Sequence, residues 1–333
     1  MRIAVLGLGR MGWHMAAHLA GEGASHDLVV FDVVEGLGGR WADEHGGEVA
    51  DSVASAVAGA NFIVTSLPSD RELRTVADEL VPAIADGAVW VDHSTTSAQL
   101  ARSVETSVSS AGGYFLDAPV SGGVDGARRG VLSVMVGGDD GAFVRAEPVV
   151  GSYAARVRHM GGPGAGQLTK MTNQICVVGL CQALAEGLDF ASRAGLDVDN
   201  VVEAMLQGSS TSWQMENRAG KMLEGDYDFG FSTTLMRKDI GLVLDEASSM
   251  SVSLPVTALV GQFLSEVDAM GGAGWDWCSL MERQRRLAAG SPPAGESAVS
   301  RAVIPEPRPP LTRCLPSSRD PASVQVQCGG ARS

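Results

Sequence analysis

The stretch that most narrows the possible folds comes first. Residues 2–6 form a short apolar run with strand character that ends in Gly7-x-Gly9-x-x-Gly12, and helical spacing through Met15, Leu19 and Ala20 follows at once. DLVVFD then reads as a second strand ending on Asp32, an acid about 20 residues past the last glycine. Strand, glycine turn, helix, strand and acid in that order form the dinucleotide-binding arrangement. The glycines allow a tight turn, close approach of backbone to a pyrophosphate and close helix packing, while the acid reaches a ribose hydroxyl. Gly7, Leu8, Gly9, Arg10, Met11, Gly12 and Asp32 are therefore the expected cofactor contacts. Val33, Val34 and Glu35 offer no cation for a 2′-phosphate, and Arg40 is the first nearby, so NAD is favoured over NADP.

Strand and helix patterns keep alternating. NFIVTSLP and GAVWVDHST read as buried strands, with the amphipathic helix DRELRTVADELVPAI between them. TSAQLARSVETSVSSAGG is another helix, and GGYFLDAPVSGG, VLSVMVGG and ARVRHMGG are further strands. Alternation of this kind predicts a largely parallel sheet covered by helices. Ligands of such sheets bind beyond the carboxyl ends of the strands. That rule points at Leu67 and Pro68, at Ser94 and Thr95, and at Ser121, Gly122 and Gly123.

A glycine-rich turn, Gly161 to Gly166, then opens into a long helical segment. Leu168, Met171, Ile175 and Val178 form one apolar row, and Leu180, Leu184 and Leu188 a second. Apolar on more than one face, this helix is expected to be buried from several sides, as a spine between two domains. Lys170, Asn173 and Gln174 share a face near its start. A lysine there gains nothing from the helix dipole. It either snorkels to the surface or has a chemical role. Beyond this segment strand patterns disappear and five helical ones follow, with no internal repeat. The sequence thus predicts an α/β fold: a Rossmann-type N-terminal domain (1–161) and an all-α C-terminal domain (162–289) joined by a long helix. Residues 290–333, rich in Pro, Ser and Arg and without aromatics, are expected to be disordered.

Composition sets the partners. A formal charge of −14 argues against nucleic acid or an anionic membrane, and leaves any small anionic substrate to a local cationic pocket. With 45% hydrophobic and 19% charged residues the chain reads as globular, and no apolar run is expected to reach the ~20 residues that span a bilayer. The N-terminus enters a strand directly, so no signal peptide is expected. Cys176, Cys181, Cys278, Cys314 and Cys328 form no C-x-x-C pair, which fits a reduced cytoplasm. His14 and His18 lie four apart without an intervening glutamate, and no metal site is expected there.

Four motifs in order resemble one family: GLGRMGWHMAAHLA, DAPVSGGVDGARRGVLSVMVGG, GPGAGQLTKMTNQ and FSTTLMRKDIGL. They are similar to the cofactor loop, the substrate loop, the lysine-bearing helix and the cofactor-side helix of the β-hydroxyacid dehydrogenases, which include 3-hydroxyisobutyrate dehydrogenase. The resemblance covers residues 1–287. It implies that Lys170 is the general acid/base, aided by Asn173, and that Ser121 with the Gly122 and Gly123 amides binds a substrate carboxylate. It also implies that Lys238 and Thr95 contact the cofactor, with Asp239 organising Lys238. Gln174 stands where many members have a second asparagine and is expected to alter substrate contacts. Trp213 and Phe231 fall where the helical domain meets substrate, and each either lines the pocket or packs in the core. His18 replaces a common asparagine, with no effect expected.

Chemistry fits these roles independently. Hydride transfer to a carbonyl leaves an alkoxide that needs a proton, and a lysine donates one when burial and a neighbouring cation lower its pKa. Consecutive glycines after Ser121 present backbone N–H groups to an anion. The implied activity is NAD-dependent interconversion of a small 3-hydroxy acid and its semialdehyde, in a homodimer or homotetramer. The alternatives are reduction of tartronate or another short-chain semialdehyde, imine reduction (which Lys170 argues against), and non-catalytic NAD binding.

Overall fold

The structure, a computed structural model, describes residues 1–21 and 26–289. The expectation for the tail and the cysteines Cys314 and Cys328 lie outside the described residues.

The first half alternates β1 (Arg2–Leu6), α1 (Gly12–Ala20), β2 (Asp27–Phe31), α2 (Leu37–His45), β3 (Glu48–Val49) and α3 (Val53–Val57). It continues with β4 (Phe62–Thr65), α4 (Asp70–Leu80), β5 (Val89–Asp92), α5 (Ala98–Ser110) and β6 (Tyr114–Asp117). These strands lie in the order β3-β2-β1-β4-β5-β6, all parallel, the Rossmann arrangement. Side-chain alternation divides β1 between two cores. Ile3 and Val5 pack with Met15, Leu19 and Trp41 on one face, and Ala4 and Leu6 pack with Leu73, Leu80 and Trp90 on the other. Burial on both faces is why FIVT and VWVD are apolar throughout or nearly so.

The sheet is largely parallel as expected, but beyond β6 it becomes mixed. The chain passes through β7 (Val120–Ser121) and α6 (Gly123–Arg129) into β8 (Leu132–Gly138), which runs antiparallel to both β6 and β7. The short β7 turns back onto β8 through a seven-residue helix, so the chain reverses where a full crossover would have kept it parallel. Helix α7 (Asp140–Val150) then leads to β9 (Ala154–Gly161), parallel to β8. Four helices here escaped the periodicity reading. Two glycines dilute α2, Pro148 interrupts α7, and α3 and α6 are very short.

Helix α8 (Ala165–Arg193) follows, 29 residues and about 44 Å long. Its first turn packs against the sheet so closely that a methyl on Gly166 would overlap the carbonyl oxygens of Asp117 and Met135. Farther along it meets α9 (Val198–Leu206), α10 (Trp213–Glu224), α11 (Thr233–Ser249), α12 (Pro255–Val267) and α13 (Leu280–Ala289). Val178, Cys181, Leu184 and Leu188 share a third core there with Met222, Ile240, Val260 and Leu264. Two expectations about this helix are corrected. Leu180 and Phe190 remain 47% and 74% exposed, so one apolar face is uncovered. By length and composition α8 is also apolar enough to cross a bilayer, although its Gln167, Lys170, Gln174 and Gln182 are buried against the rest of the protein.

Candidate active site

The cofactor loop runs from β1 into α1. A methyl on Gly12 would overlap the Gly7 carbonyl oxygen, so helix and loop can approach this closely only with glycine at position 12. A Cβ on Gly9 would meet nothing within 4 Å, leaving the backbone there open to a ligand. Asp32, just past β2, accepts hydrogen bonds from the backbone N–H groups of Leu8 (2.6 Å) and Val34 (2.8 Å). The Leu8 side chain is core, Met11 is half-buried and Arg10 is exposed. This cradle, open at Gly9 and closed by Asp32, fits a dinucleotide.

Past the strand ends, Leu67 N–H donates to Ser94 Oγ (2.8 Å), and Ser94 Oγ donates to Asp92 Oδ1 (2.6 Å). Pro68 beside it is exposed. Asp92 also accepts from Thr65 Oγ1 at 2.6 Å. Burial drives its carboxyl up to about 7 in spite of these donors.

In the substrate loop, Ser121 pairs with Ser133, and Gly122 and Gly123 follow with φ of 126° and 62° at the turn into α6. Lys170 comes from the second turn of α8, and its Nζ donates to the Val120 carbonyl oxygen at 2.9 Å. Only 8% of Lys170 is exposed, so it does not snorkel. Burial pushes its pKa down, Asp239 pulls it up, and Lys238 pushes it down again. Asn173 Nδ2 donates to Gln174 Oε1 (2.9 Å), and Gln174 Nε2 donates to Asp239 Oδ2 (2.6 Å). Asp239 Oδ1 lies 3.1 Å from Lys238 Nζ, which donates to the Thr95 carbonyl oxygen at 2.5 Å. The linked residues thus include two cations, Lys170 and Lys238, in a protein of net charge −14.

The family model described as the NAD binding domain of 6-phosphogluconate dehydrogenase matches residues 2–162. The one described as NAD-binding of NADP-dependent 3-hydroxyisobutyrate dehydrogenase matches residues 164–283. An uncharacterized oxidoreductase of Shewanella frigidimarina is 46% identical over 85% of this chain and 97% of its own. The 2-hydroxy-3-oxopropionate reductase of Escherichia coli is 34% identical over 86% and 98%. A solved 3-hydroxyisobutyrate dehydrogenase of Mycobacterium tuberculosis, with L-serine, is 32% identical and superposes with a TM-score of 0.79 over 85% and 99%. The chain belongs to the β-hydroxyacid dehydrogenase family.

As a β-hydroxyacid dehydrogenase it is an NAD(P)-dependent oxidoreductase. Several residues that build its site had no role in the sequence reading. Asp117, at the end of β6, accepts from the N–H groups of Gly164 (2.7 Å) and Gln167 (2.8 Å) and so caps the start of α8. Burial raises its carboxyl to about 6, against those two donors. Gln167 Nε2 donates to the Ser94 carbonyl (2.8 Å), and its Oε1 accepts from Thr96 N–H (3.1 Å). Together they fix Lys170 relative to the loops at the strand ends. Both residues sit inside quoted motifs, yet nothing in spacing alone marks them.

The two aromatics differ in burial. Trp213 opens α10 at 54% exposure with the Arg218 guanidinium 4.7 Å from its ring centre, so it is not a core residue. Phe231 does pack against the helical core, and its N–H donates to Asp276 (3.0 Å). Gln174 is buried with both amide ends engaged by Asn173 and Asp239.

Proposed function

We propose that this β-hydroxyacid dehydrogenase interconverts a small 3-hydroxy acid and its semialdehyde, with NAD preferred and Lys170 as general acid/base. The observation that carries the reading is the Lys170 amine, buried, lowered in pKa and 2.9 Å from Val120 O, beside the Ser121–Gly123 turn. A bound nicotinamide would supply the hydride chemistry. The chain's own residues do the rest. In oxidation the neutral Lys170 amine takes the hydroxyl proton, and in reduction its ammonium returns that proton to the forming alkoxide. Ser121 and the Gly122 and Gly123 amides face the substrate carboxylate, and Asn173 holds the oxygen on the carbon that is oxidised or reduced. Lys238 and Thr95 adjoin the cofactor.

Asp32 supports the choice of NAD, because its carboxylate accepts ribose hydroxyls and repels a 2′-phosphate. Val33, 88% exposed, and Val34 add no cation there. The relative named for 2-hydroxy-3-oxopropionate reduction supports a second reading, in which the substrate is that shorter semialdehyde. Exposed Leu180 and Phe190 on α8, with Val256 and Leu259 on α12, support a homodimer or homotetramer. A reducing cytoplasm suits the free thiols Cys176, Cys181 and Cys278. The test is turnover of a panel of small 3-hydroxy acids and short-chain semialdehydes with each coenzyme. The account expects activity on the panel with higher kcat/KM for NAD. Tight NADH binding without turnover of any member would overturn it in favour of a sensor.

A further inference from the structure

We propose that Gln174 is a positioning residue that couples the two sides of this site, holding Asn173 with one end of its amide and Asp239 with the other. The inference rests on the reading of Lys170 as the acid/base. Gln174 lies one turn beyond Lys170 on the same face of α8 and is 3% exposed. Its Oε1 accepts from Asn173 Nδ2 at 2.9 Å. Its Nε2 donates to Asp239 Oδ2 at 2.6 Å and faces Met236 Sδ at 3.6 Å. The amide therefore has no hydrogen left for a substrate, and what it determines is where its neighbours point.

Asp239 explains why that matters. A carboxylate 1% exposed needs partners: Gln174 donates to Oδ2, and Oδ1, with no hydrogen-bond donor among the described residues, has the Lys238 ammonium 3.1 Å away as an ion pair. Lys238 continues the chain to the Thr95 carbonyl. Three segments are joined this way: the loop after β5, α8 and α11. An asparagine at position 174, one methylene shorter, has less reach to span Asn173 and Asp239 together. The charges so held act on the proton-transfer group, since Asp239 raises the proton affinity of the Lys170 amine and Lys238 lowers it. Without the Gln174 donor, nothing on α8 holds the Asp239 carboxylate toward Lys170, it is free to turn to Lys238, and its pull on Lys170 weakens.

The sequence makes the test unusually direct, because the whole chain has only three lysines, Lys170, Lys221 and Lys238. Carbon-13 lysine NMR of the full protein therefore gives three side-chain signals, and Lys170→Arg assigns the one of interest. In Gln174→Met, similar in length but without the amide, the Lys170 titration midpoint is expected to fall by about one unit. Gln174→Glu provides a second arm. Its introduced carboxyl, when protonated, can donate to Asp239 and accept from Asn173 as the amide does; once ionised it can only repel Asp239. The ratio of that variant's turnover to wild type, assayed in the same direction, should be near one at low pH and drop as the carboxyl ionises. An unmoved Lys170 midpoint in Gln174→Met, or a Gln174→Glu profile parallel to wild type, overturns the proposal. The NMR arm needs no substrate. A shifted midpoint together with silence on the substrate panel would therefore sink the functional reading and leave this one standing.

Discussion

The two walls of the candidate site, one for the cofactor and one for the proton, are built in opposite ways. The cofactor wall is local: Gly7 to Gly12 and Asp32 come from one β-α-β unit, and the groups that matter are backbone N–H groups and one carboxylate. The proton-transfer wall is assembled from four separate parts of the chain. Val120 follows β6, Lys170 and Gln174 come from α8, Lys238 and Asp239 from α11, and Thr95 from the loop after β5. A site made of backbone is written in glycine spacing. A site made of side-chain bonds depends on the tertiary structure that brings distant residues together. The comparison predicts that damage to the second wall costs rate, whereas damage to the first costs choice of coenzyme.

The largest effect is expected at Lys170. Lys170→Ala should lower kcat by about 10²–10⁴-fold, the usual contribution of a general acid, while NADH affinity stays near wild type. Lys170→Arg should be nearly as poor, because a guanidinium keeps its proton near neutral pH. Stopped-flow turnover and NADH titration of both variants check this, and parallel losses of rate and NADH affinity would erase the contrast between the walls. Next comes Asp32→Ser on the cofactor wall. Its loss of a repelling charge should narrow the NAD over NADP ratio of kcat/KM by about tenfold with kcat for NAD little changed. A ratio that does not move would detach Asp32 from coenzyme choice.

How much of this was legible follows from the same contrast. The cofactor loop, the long helix and the largely parallel character of the sheet were readable because glycine spacing, helical period and alternation are local signals, whereas the two-residue edge strand β3 was not. Asp117 and Gln167 were not, since their meaning lies in bonds to residues tens of positions away, such as Asp117 to Gly164. Gln174 was visible only as a departure from a family pattern, and its two partners emerged from the fold. The uncovered Leu180 and Phe190 show the limit of periodicity, which marks an apolar face without saying what covers it.

A smaller effect belongs to Asp92, which ties Ser94 and Thr65 together behind both walls. Its folded-state pKa of about 7 lies above the ordinary 3.8, so between those values the native state holds a proton that the unfolded chain has lost. Its contribution is therefore greatest at low pH and declines as pH rises toward 7. Asp92→Asn mimics the protonated form and removes that dependence. Chemical denaturation at pH 5 and pH 8 should show the variant gaining on wild type by on the order of 1–3 kcal/mol, with kcat changed only a few-fold. Comparing variant with wild type cancels the opposite trend of His93, whose burial lowers its pKa to about 4.

The central claim is that one buried amine moves the proton in both directions, and the pH dependence of wild-type turnover tests it most directly. Oxidation needs the Lys170 amine neutral, so its kcat/KM should rise with pH through a midpoint below the ordinary 10.5 of lysine. Reduction needs the same group protonated, so its kcat/KM should fall through that midpoint. The residual activity of Lys170→Ala should show neither limb. Two profiles sloping the same way, or limbs that survive in Lys170→Ala, would mean that another group carries the proton.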